Sequence, residues 1–207
     1  MAIKKKTAIV LGGAGFLGSA VVKKLLETGF RVTVFDLDNP KLEIKDVQYV
    51  MGDICNIDSL RTVISGHEII YNFAGAADLE GSIRNPLRYL NLNILGNANI
   101  LQAAIDVGGV ERFIYASSAY ALSNKGAFYG TSKRASERVT QLYQENYGLD
   151  YTILRYGSVY GPYADEANRI YRFIRDALMY GEISFQGDGY EEREYIHVDD
   201  AADLFLE

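Results

Sequence analysis

The sequence has 207 residues, of which 48% are hydrophobic, enough for the buried core of a folded domain. Its 27 Asp and Glu residues outnumber its 21 Lys and Arg residues, and neither sign forms a long block, which excludes a broad basic surface for nucleic acid. The single cysteine, Cys55, has no second thiol for an internal disulfide, so the composition favours a reducing compartment.

The first residues place a lysine cluster before an apolar run, which is the outline of a secretory signal peptide. Glycines interrupt that run at positions 12, 13, 15 and 18, whereas a signal peptide has a continuous helix-forming segment. No other stretch reaches the ~18 uninterrupted apolar residues of a membrane span. The sequence therefore predicts a cytoplasmic protein with no membrane partner.

Short β-branched runs alternate along the chain with longer segments of helical period. This α/β alternation predicts a doubly wound parallel sheet of the Rossmann type, with helices on both faces and ligands at the carboxyl ends of the strands. After residue 160 the pattern loosens, and one further helix is predicted near 165–180. The predicted strands are 7–11, 31–36, 47–52, 68–74, 112–117 and 151–156, and the other predicted helices are 16–28, 56–65, 86–107 and 129–147.

A glycine-rich turn lies directly between the first strand and the first helix. Gly12, Gly15 and Gly18 give the spacing at which a tight turn, close approach to a pyrophosphate and close helix packing each need a small residue. Asp36 ends the second strand, where a carboxylate can bind both adenosine ribose hydroxyls and repel a 2'-phosphate, with Asp38 as an alternative. The turn and the acid together predict a dinucleotide site that favours NAD over NADP.

Tyr129 and Lys133 lie four positions apart in the segment AFYGTSKRASERV. On a helix this spacing puts both side chains on one face. Taken alone, the spacing is more typical of a ring and an ammonium that share solvent at the surface.

The segment of Tyr129 and Lys133 is one of eight sequence motifs that follow one another along the chain. They are GGAGFLGS, GDICN, NFAGAAD, NPLRYLNLNILGNANILQAA, RFIYASSAY, YGTSK, LRYGSVYGP and GDGYEEREYIHVDDAA. Together they resemble the extended short-chain dehydrogenase/reductase family, in its NAD-dependent nucleotide-sugar epimerase/dehydratase branch. Asn72 departs from the pattern, because a histidine is usual there.

The resemblance implies that NAD is the cofactor and which residues bind it. Asn93 matches a structural asparagine on the long helix, and Lys133 would hold the nicotinamide ribose hydroxyls. The full set that the motifs imply is Gly12, Gly15, Phe16, Leu17, Gly18, Asp36, Asp53, Ile54, Ala74, Ala76, Asn93, Tyr129 and Lys133.

The resemblance also implies that Ser118, Tyr129 and Lys133 are catalytic. Tyr129 would exchange a proton with a substrate hydroxyl, and Ser118 would hydrogen-bond the reacting oxygen. A free tyrosine has a pKa near ~10, too high for a base at neutral pH. Lys133 and the positive nicotinamide ring are therefore expected to lower the pKa of Tyr129.

The residues after Ser118 discriminate between reactions of the family. Dehydratases have an Asp-Glu pair there and decarboxylating relatives have a glutamate, whereas this sequence has Ala119 and Tyr120. This favours a C4 epimerase that works through a transient 4-keto intermediate. A dehydratase, a ketone reductase, a non-catalytic NAD-binding regulator and a partner subunit remain as alternatives.

The resemblance implies a nucleotide-sugar substrate, with a UDP-sugar favoured. Arg193 matches an arginine that binds the diphosphate, although a surface ion pair with Glu191 or Glu192 is an equal alternative. Ser158 occupies a position where an asparagine often binds the sugar nucleotide. We assign no metal site, because the acidic pair near the chain end lacks spaced partners.

Family members pair through helices that match 86–107 and 129–147, so a homodimer is expected. The motifs place an NAD-binding Rossmann domain at 1–160 and the start of a substrate-binding portion at 161–207. The sequence stops inside a predicted helix with Leu204 and Phe205 in need of a covering partner, so we expect a fragment of a longer protein.

Overall fold

The computed structural model describes residues 5–41, 43–185, 187–188, 190 and 192–206. Six parallel strands form the main sheet in the order β3-β2-β1-β4-β5-β6. The order reverses between β1 and β4, which opens a crevice at the carboxyl ends of these strands. The predicted Rossmann-type sheet is thus confirmed. Its strands are β1 (Thr7–Leu11), β2 (Arg31–Asp36), β3 (Gln48–Met51), β4 (Ile69–Asn72), β5 (Arg112–Ser118) and β6 (Tyr151–Tyr156).

Helices connect the strands and cover both faces of the sheet. The predicted helix over 86–107 is divided, because a π-helical segment, Leu90–Gly96, lies between two α-helical parts. The helix predicted near 165–180 begins only at residue 169, since the Asn168 side chain caps its first N–H groups. The α-helices are α1 (Phe16–Glu27), α2 (Ile57–Ile64), α3 (Leu79–Arg84), α4 (Pro86–Tyr89), α5 (Asn97–Val107), α6 (Ala127–Tyr147), α7 (Arg169–Tyr180) and α8 (Val198–Asp203).

The strands are apolar on both faces because each face packs against helices. In β1, Ala8 and Val10 belong to a core shared with α1 and α8, whereas Ile9 and Leu11 belong to a core shared with α2 and α5. All four side chains are fully buried. Truncating one large side chain of this kind to alanine costs about 2–5 kcal/mol.

A second sheet lies beyond the main one, where the strands β7 (Ser158–Tyr160) and β8 (Tyr195–His197) pair in parallel. Helix α8 follows β8 and returns to the core beside α1. Phe205 is 3% exposed and packs edge-on against Phe73 and face-on against Tyr156. The expectation that Phe205 lacks a covering partner was therefore wrong, while Leu204 is exposed as expected.

The division into parts at residue 160 stays a prediction. Within the described residues, no helix is both long and apolar enough to cross a membrane.

Candidate active site

The turn between β1 and α1 approaches the segment after β4 so closely that only glycine fits. Gly12 has φ +78°, and a Cβ there would lie 2.6 Å from the backbone nitrogen of Ala74. A Cβ on Gly18 would collide with the carbonyl oxygen of Gly12. Both glycines are therefore required by the geometry of the turn itself.

Helix α1 presents an open N-terminus at this turn. Gly15 is its N-cap residue, no side chain caps it and its first turn holds no acidic residue, so its free N–H groups are available to an anion. The Asp36 carboxylate accepts a hydrogen bond of 2.9 Å from the Ala14 N–H, which fixes it beside the turn.

A cavity of about 230 Å³ lies between these groups, and Gly12, Gly15, Asp36, Ile54 and Ala74 are among its lining residues. The close-approach glycines, the open helix N-terminus and the carboxylate at the end of β2 fit a bound dinucleotide. Phe16 lies just outside this cavity, in a groove with Ala14 and Lys23. The Asp53 carboxylate accepts a hydrogen bond from the Cys55 N–H at 2.8 Å.

Asn93, in the π-helical segment, ties the loop after β4 to α6. Its Oδ1 accepts a hydrogen bond from the Ala76 N–H at 2.8 Å, and its Nδ2 donates to the Ala76 carbonyl at 3.0 Å and to Ser132 Oγ at 2.8 Å. Asn93 is buried, and its hydrogen bonds hold Ala76 in place. Asn72, which stands at the usual histidine position, donates to Asn97 Oδ1 at 2.9 Å.

Tyr129 and Lys133 lie on the inner face of α6, opposite the carboxyl end of β5. Both side chains are buried, with residue exposures of 8% and 6%, so a solvent-facing surface pair is excluded. Ser118 ends β5 and accepts a hydrogen bond from the Tyr120 N–H at 3.2 Å. Lys133 Nζ donates to the Ala116 carbonyl at 2.7 Å.

Burial controls the ionisation of this pair. It raises the pKa of Tyr129 above the usual value, although a hydrogen bond with Ser118 acts in the other direction. Burial also lowers the pKa of Lys133 to about 8, against the opposing effect of Glu137. The chain by itself therefore does not show the expected lowering of the tyrosine pKa by Lys133, because desolvation of the phenolate dominates.

A second cavity, of about 370 Å³, opens beside Tyr129. The structure brings several of the predicted catalytic and substrate-binding residues to it, namely Ser118, Tyr129, Ser158 and Arg193. Arg193 donates a hydrogen bond of 3.2 Å to the Tyr120 hydroxyl. Glu191, one of its predicted ion-pair partners, lies outside the described residues, and within them no carboxylate pairs with Arg193.

The sequence prediction missed several groups of this cavity. Asp78 and Glu80 line one side because α3, which was not predicted, places them there. Arg169 and Arg172, at the start of α7, line another side. The charge pattern of the sequence does not indicate that these four residues share one cavity, since several separate segments of the chain line it.

A buried carboxylate one turn beyond Lys133 was also missed. Glu137 accepts a hydrogen bond from Ser117 Oγ and two from the Arg155 guanidinium, at 2.9 and 2.7 Å. The four-residue spacing from Lys133 could have indicated this residue. In the described part of the chain, no group of three or more His, Cys, Asp and Glu could hold a metal ion.

Comparisons with known proteins agree with this geometry. The model of the NAD dependent epimerase/dehydratase family matches residues 8–207. A putative UDP-glucose 4-epimerase of Methanocaldococcus jannaschii is 30% identical over 94% of this chain and 70% of its own length. A dTDP-glucose 4,6-dehydratase of Streptomyces niveus is 27% identical over 93% of this chain and 65% of its own length.

A solved structure gives the same result for the fold. The crystal structure of UDP-glucose 4-epimerase from Thermotoga maritima with UDP-glucose superposes with a TM-score of 0.89 at 32% identity, over 97% of this chain and 72% of that one. This chain thus spans between 65% and 72% of the lengths of these three proteins.

Proposed function

This chain belongs to the NAD dependent epimerase/dehydratase family, with NAD as its cofactor, and on that premise we propose that it acts on a nucleotide sugar as a C4 epimerase. The observation that carries the proposal is the cavity that Ser118 and Tyr129 share with Ser158 and Arg193. This shared cavity supports the proposal, because the proposed redox residues and the groups suited to a sugar nucleotide line the same space.

In the proposed reaction, Tyr129 takes the proton of the sugar C4 hydroxyl while that carbon becomes a ketone, and returns a proton when the opposite face is reduced. Ser118 hydrogen-bonds the same oxygen through both steps. Bound NAD supplies the hydride acceptor and donor. Lys133 holds the cofactor ribose hydroxyls, and the glycine turn, Asp36 and the other predicted cofactor contacts belong to the same proposal.

The side chains at the reacting end support epimerisation over dehydration. Ala119 and Tyr120 follow Ser118, and neither has a carboxyl group to remove water from the sugar. Relatives named as epimerases and as dehydratases have similar sequence identities to this chain. The absence of a carboxyl group at positions 119 and 120 is therefore the observation that favours an epimerase.

A UDP-sugar is the proposed substrate, because two of the similar proteins are named for UDP-glucose. Arg193 is suited to the diphosphate, since a guanidinium can bind two phosphate oxygens at once.

We propose a homodimer through helices 86–107 and 129–147. Leu87 and Leu95 are 76% and 57% exposed on the first segment, and Leu142 is 39% exposed on the second. Apolar side chains of this size on neighbouring helices favour burial against a second copy. The cytoplasmic location is proposed on the composition alone.

The test is a screen of nucleotide sugars with the NAD-loaded protein, with the products identified by NMR. We expect inversion at C4, and we expect Tyr129→Phe to reduce turnover by about 10²–10⁴-fold while NAD still binds. Tyr180→Phe, which changes an exposed tyrosine on α7, is the matched control and should keep wild-type turnover.

Two outcomes would contradict the proposal. A 6-deoxy-4-keto product would identify a dehydratase, and wild-type turnover by Tyr129→Phe would remove that residue from the mechanism.

A further inference from the structure

The Lys133 ammonium is a buried cation with three N–H donors, each of which needs a partner. The Ala116 carbonyl accepts one of them at 2.7 Å. The face of the Tyr115 ring lies beside the same ammonium, with Nζ 4.7 Å from the ring centroid. The Tyr129 ring is farther away, at 6.0 Å, which is the outer limit of a cation–π contact.

The Tyr115 ring is held rigidly behind the lysine. It lies in the middle of β5, is 1% exposed, and stacks on Phe113 with centroids 6.3 Å apart and planes at 13°. Its hydroxyl has no hydrogen-bond partner in the described part of the chain. The contact with Lys133 is therefore made by the ring face and not by the hydroxyl.

We propose that Tyr115 is a positioning residue for the cofactor, because its ring face holds the Lys133 ammonium in place and leaves the remaining N–H free for the NAD ribose. The inference rests on the proposed function, in which Lys133 binds that ribose. It adds a residue three positions before Ser118, the last residue of β5, in a role that the sequence motifs do not indicate.

Among the described residues, few charged or ionisable groups face the ammonium. They are Tyr129 and Glu137 on α6 and Tyr115 on β5, with Arg155 on β6 acting through Glu137. Burial raises the pKa of Tyr115, so this ring is a neutral phenol at physiological pH. A desolvated cation–π contact stabilises the ammonium by about one pKa unit or more.

The pH dependence of NAD binding tests the proposal. With the ring present, Lys133 loses its proton near pH 8. Without the ring, we expect this midpoint to fall by about one unit. The charged fraction at pH 8 then falls from about one half to about one tenth, so NAD affinity should be about fivefold weaker at pH 8 and nearly unchanged at pH 6.

The experiment is a calorimetric titration of NAD into cofactor-free protein at several pH values. Tyr115→Met and Tyr115→Leu both remove the ring, and Met fills the space better. Tyr115→Phe retains the ring and should restore the wild-type midpoint. Leu60→Ala opens a cavity in the same core, on helix α2, and keeps both Tyr115 and the Phe113 ring on which it stacks, so it controls for packing.

A deficit in NAD affinity that grows with pH in both ring-removing variants, and not in Tyr115→Phe or Leu60→Ala, supports the proposal. An equal deficit at every pH, or none, overturns it. Lys133→Met distinguishes a failure of the proposed role of Lys133 in NAD binding from a failure of the proposed role of Tyr115. If Lys133→Met binds NAD like the wild type, the proposed role of Lys133 fails, whereas if only Lys133→Met weakens binding, the role of Tyr115 alone fails.

Discussion

The ion pair between buried Glu137 and exposed Arg155 should lose different amounts of stability depending on which of the two residues is replaced. The Glu137 side chain is 7% exposed and the Arg155 side chain is 40% exposed. Arg155→Met therefore leaves an unpaired buried carboxylate, and we expect it to lower the free energy of unfolding by about 3–5 kcal/mol. Glu137→Gln leaves a guanidinium that water can reach, and we expect a smaller loss of about 1–2 kcal/mol.

The pH dependence of these losses follows from the pKa of Glu137. Burial alone would raise that pKa, but hydrogen bonds from Arg155 and Ser117 prevail and hold it below its usual value. In the wild type this group's contribution to stability is present at neutral pH and is lost as the pH falls through the lowered pKa. In Arg155→Met the hydrogen bonds from Arg155 are absent, so burial raises the pKa of Glu137 and this residue takes up a proton more readily. The loss of stability relative to the wild type should therefore shrink as the pH falls from about 7 to about 5.

Urea unfolding followed by circular dichroism at both pH values measures these differences. Arg138→Met is the matched control, because Arg138 and Glu145 form an exposed ion pair with side chains 56% and 50% exposed. This control should lose less than about 1 kcal/mol. The reasoning is refuted if Glu137→Gln is at least as destabilising as Arg155→Met, or if the Arg155→Met deficit does not change with pH.

Three further predictions concern the cofactor site. Calorimetry should show tighter binding of NAD than of NADP, because in the proposed site the Asp36 carboxylate would repel a 2'-phosphate; equal affinities would remove Asp36 from this role. Gly18→Ala should abolish measurable NAD binding, since its Cβ would displace the Gly12 carbonyl, whereas Gly29→Ala, at an open position after α1, should change only stability. Asn93→Ala should lower the melting temperature and weaken NAD binding together, because it frees Ala76; an effect on neither would contradict the role of Asn93.

The main sheet could be predicted from the sequence because each strand is an apolar run between breakers and the alternation with helices has one common solution. Helix α3 could not be predicted in this way. It has six residues, too few to show a helical period, and its start depends on the Asp78 side-chain cap. The π-helical segment could not be predicted either, because a long apolar α-helix and one with a π-helical segment have the same residue composition.

The candidate site was predictable where spacing along one element decides the geometry. Four-residue spacing brings Tyr129 and Lys133 together, and the glycine spacing gives the turn. The Tyr115 ring face, the Glu137 ion pair and the two acids of α3 depend on how separate segments pack. The spacing from Lys133 could indicate Glu137 itself, but its pairing with Arg155 and the other contacts require the three-dimensional structure, because residue spacing along the chain does not determine the distances between separate elements.

Lys133 leads to a final prediction about stability and function. Its ordinary pKa of 10.5 falls to about 8 in the fold because burial disfavours the charged form. Between these two pKa values, Lys133 keeps its proton in the unfolded chain and loses it in the native chain. The contribution of this lysine to stability therefore improves as the pH rises from about 8 to above 10. At neutral pH the buried ammonium is destabilising by up to about 3 kcal/mol.

Lys133→Met removes this destabilising buried charge and replaces the lysine with a side chain of similar length. We expect it to raise the free energy of unfolding at pH 7 while weakening NAD binding and turnover, and we expect the gain to disappear near pH 10. Urea unfolding across this pH range measures the change, and Lys125→Met, at an exposed position before α6, is the control. A variant less stable than the wild type at pH 7 would mean that the carbonyl, ring and Glu137 contacts outweigh desolvation, and that the lysine is kept for stability rather than for its role toward the cofactor.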